Sequence, residues 1–234
     1  MKILAIIPAR GGSVRLPGKN IKMLGGKPLI EWSIDVAREV SSIDKIFVST
    51  DCVDIANVCM QAGLDVPVLR PKNLASDKSS TIDGVKHAIE YLKDRGEIYD
   101  FVLLLQPTSP LRTADHLREA IDMISSKKAD AVISVCKCEH SPLWANSLPS
   151  DFSMKNFLDE NFKNIPSQEL PIYYRLNGAI FLVDIKRLYQ EQTFILSSNS
   201  YGLEMDAMTS VDIDNEIDFL LAETIIKHHS INTY

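Results

Sequence analysis

Short apolar runs alternating with helical stripes constrain this chain more than any other feature. Residues 3–7, 46–48, 66–69, 101–105 and 131–135 are runs of this kind. They are too short and too uniformly apolar for amphipathic helices and read as strands, most of them buried on both faces. Between them the period changes. Ile30, Ile34 and Ala37 recur at helical spacing, as do Ile55, Val58, Cys59 and Ala62. Ile82, Val85, Ile89 and Leu92 make a third stripe, and Leu117, Ile121 and Ile124 a fourth. Strand–helix–strand alternation at this spacing predicts an α/β fold with a doubly wound, mostly parallel sheet and helices on both faces. Ligands of such sheets sit beyond the carboxyl ends of the strands. The loops after these strands are therefore where chemistry is expected.

The alternation breaks after Val135. Residues 136–176 contain Pro142, Pro149, Pro166 and Pro171 and are too long for a plain connection between elements. They read as an inserted arm, whose Trp144, Phe152, Phe157, Phe162, Tyr173 and Tyr174 would find a buried home in a second subunit. The strand pattern resumes at 179–183. A last helix follows, with Ile217, Leu220, Leu221 and Ile225 on one face and Asp214 or Asn215 as its cap. Residues 1–234 are thus expected to form one domain carrying one arm. At 45% hydrophobic residues the chain can bury a sizeable core.

Other classes are disfavoured. The net charge is -6 and no basic run occurs, which argues against nucleic acid as a partner. No apolar stretch approaches the ~20 residues that cross a bilayer. The amino-terminal run reads as a strand, because Pro8 and Arg10 follow it directly. Cys52, Cys59, Cys136 and Cys138 make no CxxC pair, and their thiols fit a reducing, cytoplasmic location.

Three loops carry candidate chemistry. The first runs through Ala9, Arg10, Gly11, Gly12, Ser13, Arg15, Lys19 and Asn20. Adjacent glycines let backbone approach a ligand, and Arg10, Arg15 and Lys19 place three cations within ten residues. Such a loop suits a polyphosphate, yet it matches neither the Walker pattern nor GxGxxG. In the second, Asp212 and Asp214 lie two apart on extended chain, so their carboxylates point the same way. They suit one hard cation, and Mg2+ is the natural choice beside phosphates. In the third, Gln106 ends a buried strand and can hydrogen-bond substrate hydroxyls. Arg70 and Ser76 likewise follow an apolar run, at a position suited to a base or ribose. No Ser/His/Asp nucleophile arrangement is present.

The runs IPARGGS…LPGKN, RPKNLASD, LLQPTSPLR, YYRLNGAIFL and SVDIDNEIDF occur in this order over residues 3–219. Together they resemble the acylneuraminate cytidylyltransferases, or CMP-sialic acid synthetases, a group that includes CMP-legionaminate-type enzymes. The resemblance implies a Rossmann-like nucleotidyltransferase. Such an enzyme joins CTP to a nonulosonic acid, with Mg2+, and releases pyrophosphate. It serves surface polysaccharide biosynthesis. Carried over, Arg10 and Lys19 match phosphate-binding cations, and Asn20 a nucleotide contact. Arg70 and Ser76 match positions near cytosine and ribose, and Gln106 one facing the sugar acid. Asp212 and Asp214 match the metal pair, and Arg175 falls in a stretch used at a dimer-shaped active site. A homodimer whose arm crosses to the partner is implied as well.

Two departures bear on the sugar. Val14-Arg15 stands where the family often has Lys, and Ser167, just before Gln168-Glu169-Leu170-Pro171, stands where many sialate enzymes carry Arg. N-acylneuraminate is the first expectation for the sugar, legionaminate or another bacterial nonulosonate the alternative, and the eight-carbon Kdo the next. A non-catalytic nucleotide-binding scaffold is the reading from a different class.

Overall fold

The computed structural model describes residues 1–76 and 79–231. Its centre is strand β1 (Ile3–Pro8), in which residues 3–7 are wholly buried. The two-residue strand period sorts them. Ile3, Ala5 and Ile7 join the core on one face, and Leu4 and Ile6 the core on the other. β1 is followed by a minute hairpin, β2 (Met23–Leu24) and β3 (Lys27–Pro28), turned by Gly25 and Gly26 with φ of 55° and 94°. Two successive positive φ values are what a tight hairpin needs, and glycine adopts them without strain.

Strands β4 (Lys45–Ser49) and β5 (Phe101–Leu104) flank β1, both parallel to it. Beyond β5 come β7 (Tyr174–Asp184), β6 (Ala131–Lys137) and β8 (Ser200–Glu204), giving the order β4-β1-β5-β7-β6-β8. The sheet is mostly parallel as expected. Its one reversed strand is β7, which is antiparallel to both β5 and β6. β7 returns from β6 as a hairpin limb and not through a crossover helix, so it must run the opposite way.

Helices α1 (Leu29–Arg38), α2 (Val53–Gln61) and α4 (Ala114–Lys127) cover one face of the sheet. Helices α3 (Thr81–Lys93) and α5 (Ile185–Glu191) cover the other. The four predicted stripes supply the inward residues. Each fully buried Leu or Ile contributes roughly 1.5–3 kcal/mol.

Three expectations are corrected. Residues 66–69 form no strand. Pro67 has no N–H for a ladder, so the segment runs irregularly, with Val66 and Val68 packing half-buried onto different cores. The strand expected at 179–183 begins earlier, at Tyr174. The last helix, α6 (Glu216–Ile231), turns Phe219 and Ala222 inward while Ile217 is 77% exposed and Leu220 and Leu221 face out. Apolar and polar residues are interspersed round this helix, so periodicity alone does not choose its buried side. Contact with Leu24, Leu29 and Ile213 does.

The arm leaves the sheet between β6 and β7. Cys138 N–H donates to Tyr173 O at 2.8 Å and closes its base. Beyond that point 139–172 is held by local turns, including two short 3-10 turns at Pro142–Trp144 and Ser167–Glu169. Its aromatics find no core in this chain. Phe152 is 75% exposed, Trp144, Tyr173 and Tyr174 are exposed, and Phe157 and Phe162 are half-buried.

Candidate active site

A cleft of about 690 Å³ opens beyond the carboxyl ends of β4, β1 and β5. The loop after β1 forms its first wall. Ala9 is buried, and its N–H donates to Ser49 O at 3.0 Å, extending the ladder by one residue. Gly11 N–H donates to Asp51 Oδ1 at 2.9 Å. A Cβ on Gly11 would lie 2.9 Å from Cys52 Cβ, so this glycine serves close contact with the start of α2. Its amide is occupied by Asp51 and does not await a ligand. Gly12 has open space around it.

Arg10, Ser13, Arg15, Lys19 and Asn20 line the cleft. Lys19 N–H donates to Leu16 O at 3.1 Å, and Gly18 has φ 66°. With Pro17 before it, this fits a type II turn, which requires glycine at its third residue. The turn delivers Lys19 to the cleft. Asn20 is buried, and its Nδ2 donates to Arg10 O at 3.0 Å, tying the two ends of the loop together.

The opposite wall carries Asp212 and Asp214. Between them Ile213 is completely buried in a cluster that also contains Leu16, Leu24 and Phe219. One apolar cluster therefore gathers the cation loop and the carboxylate pair. Ile213 N–H also donates to Thr108 O at 2.7 Å. Arg15 Nη1 lies 2.9 Å from Asp214 Oδ2. Lys19 Nζ donates to Ile213 O at 2.5 Å and lies 3.8 Å from Asp214 Oδ1. Asp214 does not cap α6. Asn215 Oδ1 accepts from Ile217 N at 2.8 Å and from Asp218 N at 3.2 Å, which leaves Asp214 to the cleft.

Burial sets the electrostatics. It holds the Lys19 ammonium below its usual pKa, with Asp214 and Asp212 opposing the shift. It pushes the Asp212 carboxyl up, and the neighbouring charge of Asp214 acts in the same direction while a hydrogen bond from Thr108 resists. Water reaches Asp212 through the cleft mouth, although protein surrounds it otherwise. Two hard carboxylate donors facing a cation-lined cleft suit Mg2+, which takes few protein carboxylates when phosphate oxygens supply the rest. Among the described residues no group of three or more His, Cys, Asp or Glu forms a fuller cage.

The third wall holds Arg70, Ser76 and Gln106. Arg70 is buried beneath the cleft. Its Nε donates to Ser49 Oγ at 3.0 Å, and its Nη2 donates to Ser49 O. Burial lowers its pKa, opposed by Asp51. Gly84 of α3 makes room for it, since a Cβ there would lie 3.2 Å from the guanidinium. Ser76 Oγ lies 2.7 Å from Ser79 Oγ. Asp77 of the same motif lies outside the described residues.

Sequence reasoning missed Ser79, Ser80 and Thr81, which also line the cleft at the amino end of α3. Ser80 Oγ accepts from Ile82 N at 3.2 Å, so a cap signature ahead of the third stripe was the available signal. It also missed Asp51, whose position just after a strand was a clue. Arg175 stands apart. It lies on β7 at the base of the arm, with Nη2 2.9 Å from Glu139 Oε1, and does not line this cleft.

Comparison with known proteins identifies the family. A family model described as Cytidylyltransferase matches residues 4–231. A CMP-N,N'-diacetyllegionaminic acid synthase from Legionella pneumophila is 38% identical over 97% of both chains. An N-acylneuraminate cytidylyltransferase from Escherichia coli is 36% identical over 96% of this chain, which spans 52% of that longer relative. A pseudaminic acid cytidylyltransferase from Campylobacter jejuni is 33% identical over 97% of both. In fold, the chain is similar to a solved CMP:2-keto-3-deoxy-manno-octonic acid synthetase complexed with CTP. That likeness has a TM-score of 0.72 at 16% identity and covers 98% of this chain and 100% of that one. With the family model spanning nearly its whole length, this chain belongs to the cytidylyltransferase family.

Proposed function

We propose that the protein transfers the cytidylyl group of CTP to the anomeric hydroxyl of a nonulosonic acid, releasing pyrophosphate. The observation that carries this reading is the convergence of Arg10, Arg15 and Lys19 with Asp212 and Asp214 on one cleft at the strand ends. Nucleotidyl transfer asks little covalent work of a protein; alignment and charge compensation dominate. Arg10, Arg15 and Lys19 neutralise the triphosphate, and Asn20 fixes the loop that presents them. Arg70 and Ser76, with the hydroxyls of Ser79 to Thr81, face the nucleoside end. Gln106 faces the sugar acid.

Asp212 and Asp214 hold Mg2+, which when bound screens phosphate charge and stabilises the departing pyrophosphate. Before ligand arrives, Arg15 and Lys19 share the single carboxylate of Asp214. Binding therefore exchanges protein–protein ion pairs for ligand–protein ones. The exposed arm finds its cover in a second copy of the chain, forming a homodimer in the cytoplasm. Arg175, at the arm's base, then lies near the partner's side of the site.

Among nonulosonic acids, a legionaminic-type acid is favoured over N-acylneuraminate by the relative of matching length from Legionella pneumophila. The test is pyrophosphate release with CTP, Mg2+ and four acids in turn: neuraminic, legionaminic, pseudaminic and Kdo. Turnover with a nine-carbon acid is expected, with legionaminic acid giving the highest kcat/KM. Preference for Kdo would move the substrate class. Silence with all four, despite CTP binding, would leave a nucleotide-binding scaffold.

A further inference from the structure

Arg112 is a buried cation behind the wall of the cleft, and no carboxylate pairs with it among the described residues. It follows the Gln106 turn and is 3% exposed. Its fork reaches three elements. Nε donates to Ala179 O on β7 at 3.2 Å, and Nη2 donates to Ser33 Oγ on α1 at 3.0 Å and to Gln106 O. Burial drags its pKa down to about 9, with only the more distant Asp212 opposing. A desolvated charge met by neutral acceptors alone adds little to stability, and an apolar side chain of similar size would serve the core at least as well. A role in placing something is the better account of this arrangement.

The group in the cleft that Arg112 touches is Gln106. The carbonyl of Gln106 accepts from Arg112 and also from Ser109 N at 3.2 Å, which fixes its peptide plane and so the backbone from which its side chain springs. The turn's own hydroxyls do not perform this task. Thr108 hydrogen-bonds Asp212, and Ser109 Oγ is buried without a partner among the described residues. On the far side Gly178 (φ 75°) leaves the space that the Gln106 amide uses. A Cβ there would lie 3.2 Å from Gln106 Oε1 and 3.8 Å from Asp212 Oδ2. Through Ala179 O, Arg112 also anchors the residue next to this glycine.

We propose that Arg112 is a positioning residue for the sugar-acid half of the cleft, clamping the Gln106 turn to β7 and α1 so that the Gln106 amide is preorganised beside Asp212. This rests on the reading that Gln106 faces the sugar acid. Lysine cannot replace the planar fork, and a small misplacement of a substrate-orienting group is costly in rate and binding.

The experiment compares Arg112→Lys, Gln106→Ala and the double variant. N,N'-diacetyllegionaminic acid is the probe, N-acetylneuraminic acid is run in parallel, and CTP affinity is read separately by calorimetry. Arg112→Lys is expected to raise KM for the acid about tenfold, with the CTP Kd within about twofold of wild type. The double variant is expected to be no worse than Gln106→Ala alone, since both changes act through one amide. Multiplying effects, equal losses of CTP affinity, or an unchanged KM for the acid would each overturn the assignment. An unchanged KM in Gln106→Ala would instead remove the sugar-facing reading of Gln106 itself. Should Arg112→Lys fail to fold, Ser33→Ala loosens the same clamp. It is expected to raise KM for the acid about threefold without changing CTP affinity, and failure to do so overturns the proposal equally.

Discussion

The cleft and the arm are built on opposite terms. In the cleft, groups far apart in sequence satisfy one another: Arg15 meets Asp214 across 199 residues, and Lys19 meets Ile213 O across 194. In the arm most hydrogen bonds stay within a few residues, and large apolar groups such as Phe152 and Ile172 remain 75% and 66% exposed. The charged groups of the cleft meet within one chain, while the arm has conformation but no core. The contrast teaches that nucleotide binding and assembly are separable. Changes in the cleft should disturb chemistry and leave assembly alone, and changes in the arm's apolar residues should disturb assembly and leave CTP binding alone.

The largest expected effect is that of Asp214→Ala. Removing one of two metal-facing carboxylates should cut Mg2+-dependent pyrophosphate release by about 10³-fold or more. Size-exclusion behaviour should not change. Retained turnover with an unaltered Mg2+ dependence would refute the metal assignment. Lys19→Ala should lower kcat by on the order of 10²-fold, the usual loss for one preorganised charge donor. A rate near wild type would exclude it from the mechanism.

The arm gives a smaller effect of another kind. Phe152→Ser combined with Ile172→Ser should convert a dimer to a monomer by light scattering. The Tm measured on the dissociated chain should stay within about 2 °C of an arm-intact reference at matched low concentration, because exposed side chains contribute little to a fold they do not pack against. A large fall in Tm would show that the arm belongs to the core after all and would collapse the comparison.

Asp212→Asn should give the smallest shift. Burial holds the folded carboxyl above its unfolded value of 3.8. Stability is therefore lost as pH rises from the unfolded value through the folded one, and the loss is complete above it. The amide should raise Tm at neutral pH by no more than about 3 °C, given screening by water in the cleft. The difference should vanish below about pH 3.8, where both states are protonated. A rise that persists in acid would assign it to packing and not to charge.

Much of this molecule was legible beforehand because the signals are local. A period of two or 3.6 residues is a property of neighbouring side chains, so β1, β4, β5, β6 and the first four helices were readable from spacing. Val66 to Leu69 misled because apolar content does not reveal a missing N–H partner beside Pro67. The outward face of α6 misled because apolar residues spread round a helix carry little phase. In the site, the cations, the carboxylate pair and Gln106 were found from residue type and strand-end position. Asp51 and the Ser79 to Thr81 hydroxyls were missed because their function depends on which loop lies opposite.

By itself the sequence determined the element types, the strand-end loops and the charges available to a ligand. All of these follow from backbone sterics and side-chain spacing within a few residues. Only the tertiary structure decided that Leu16 and Ile213 share one cluster, that β7 runs backwards, that Gly11 spends its amide on Asp51 and that Arg112 is buried without a carboxylate. Those facts depend on which distant segments exclude water together, and burial of that kind is a property of the assembled chain.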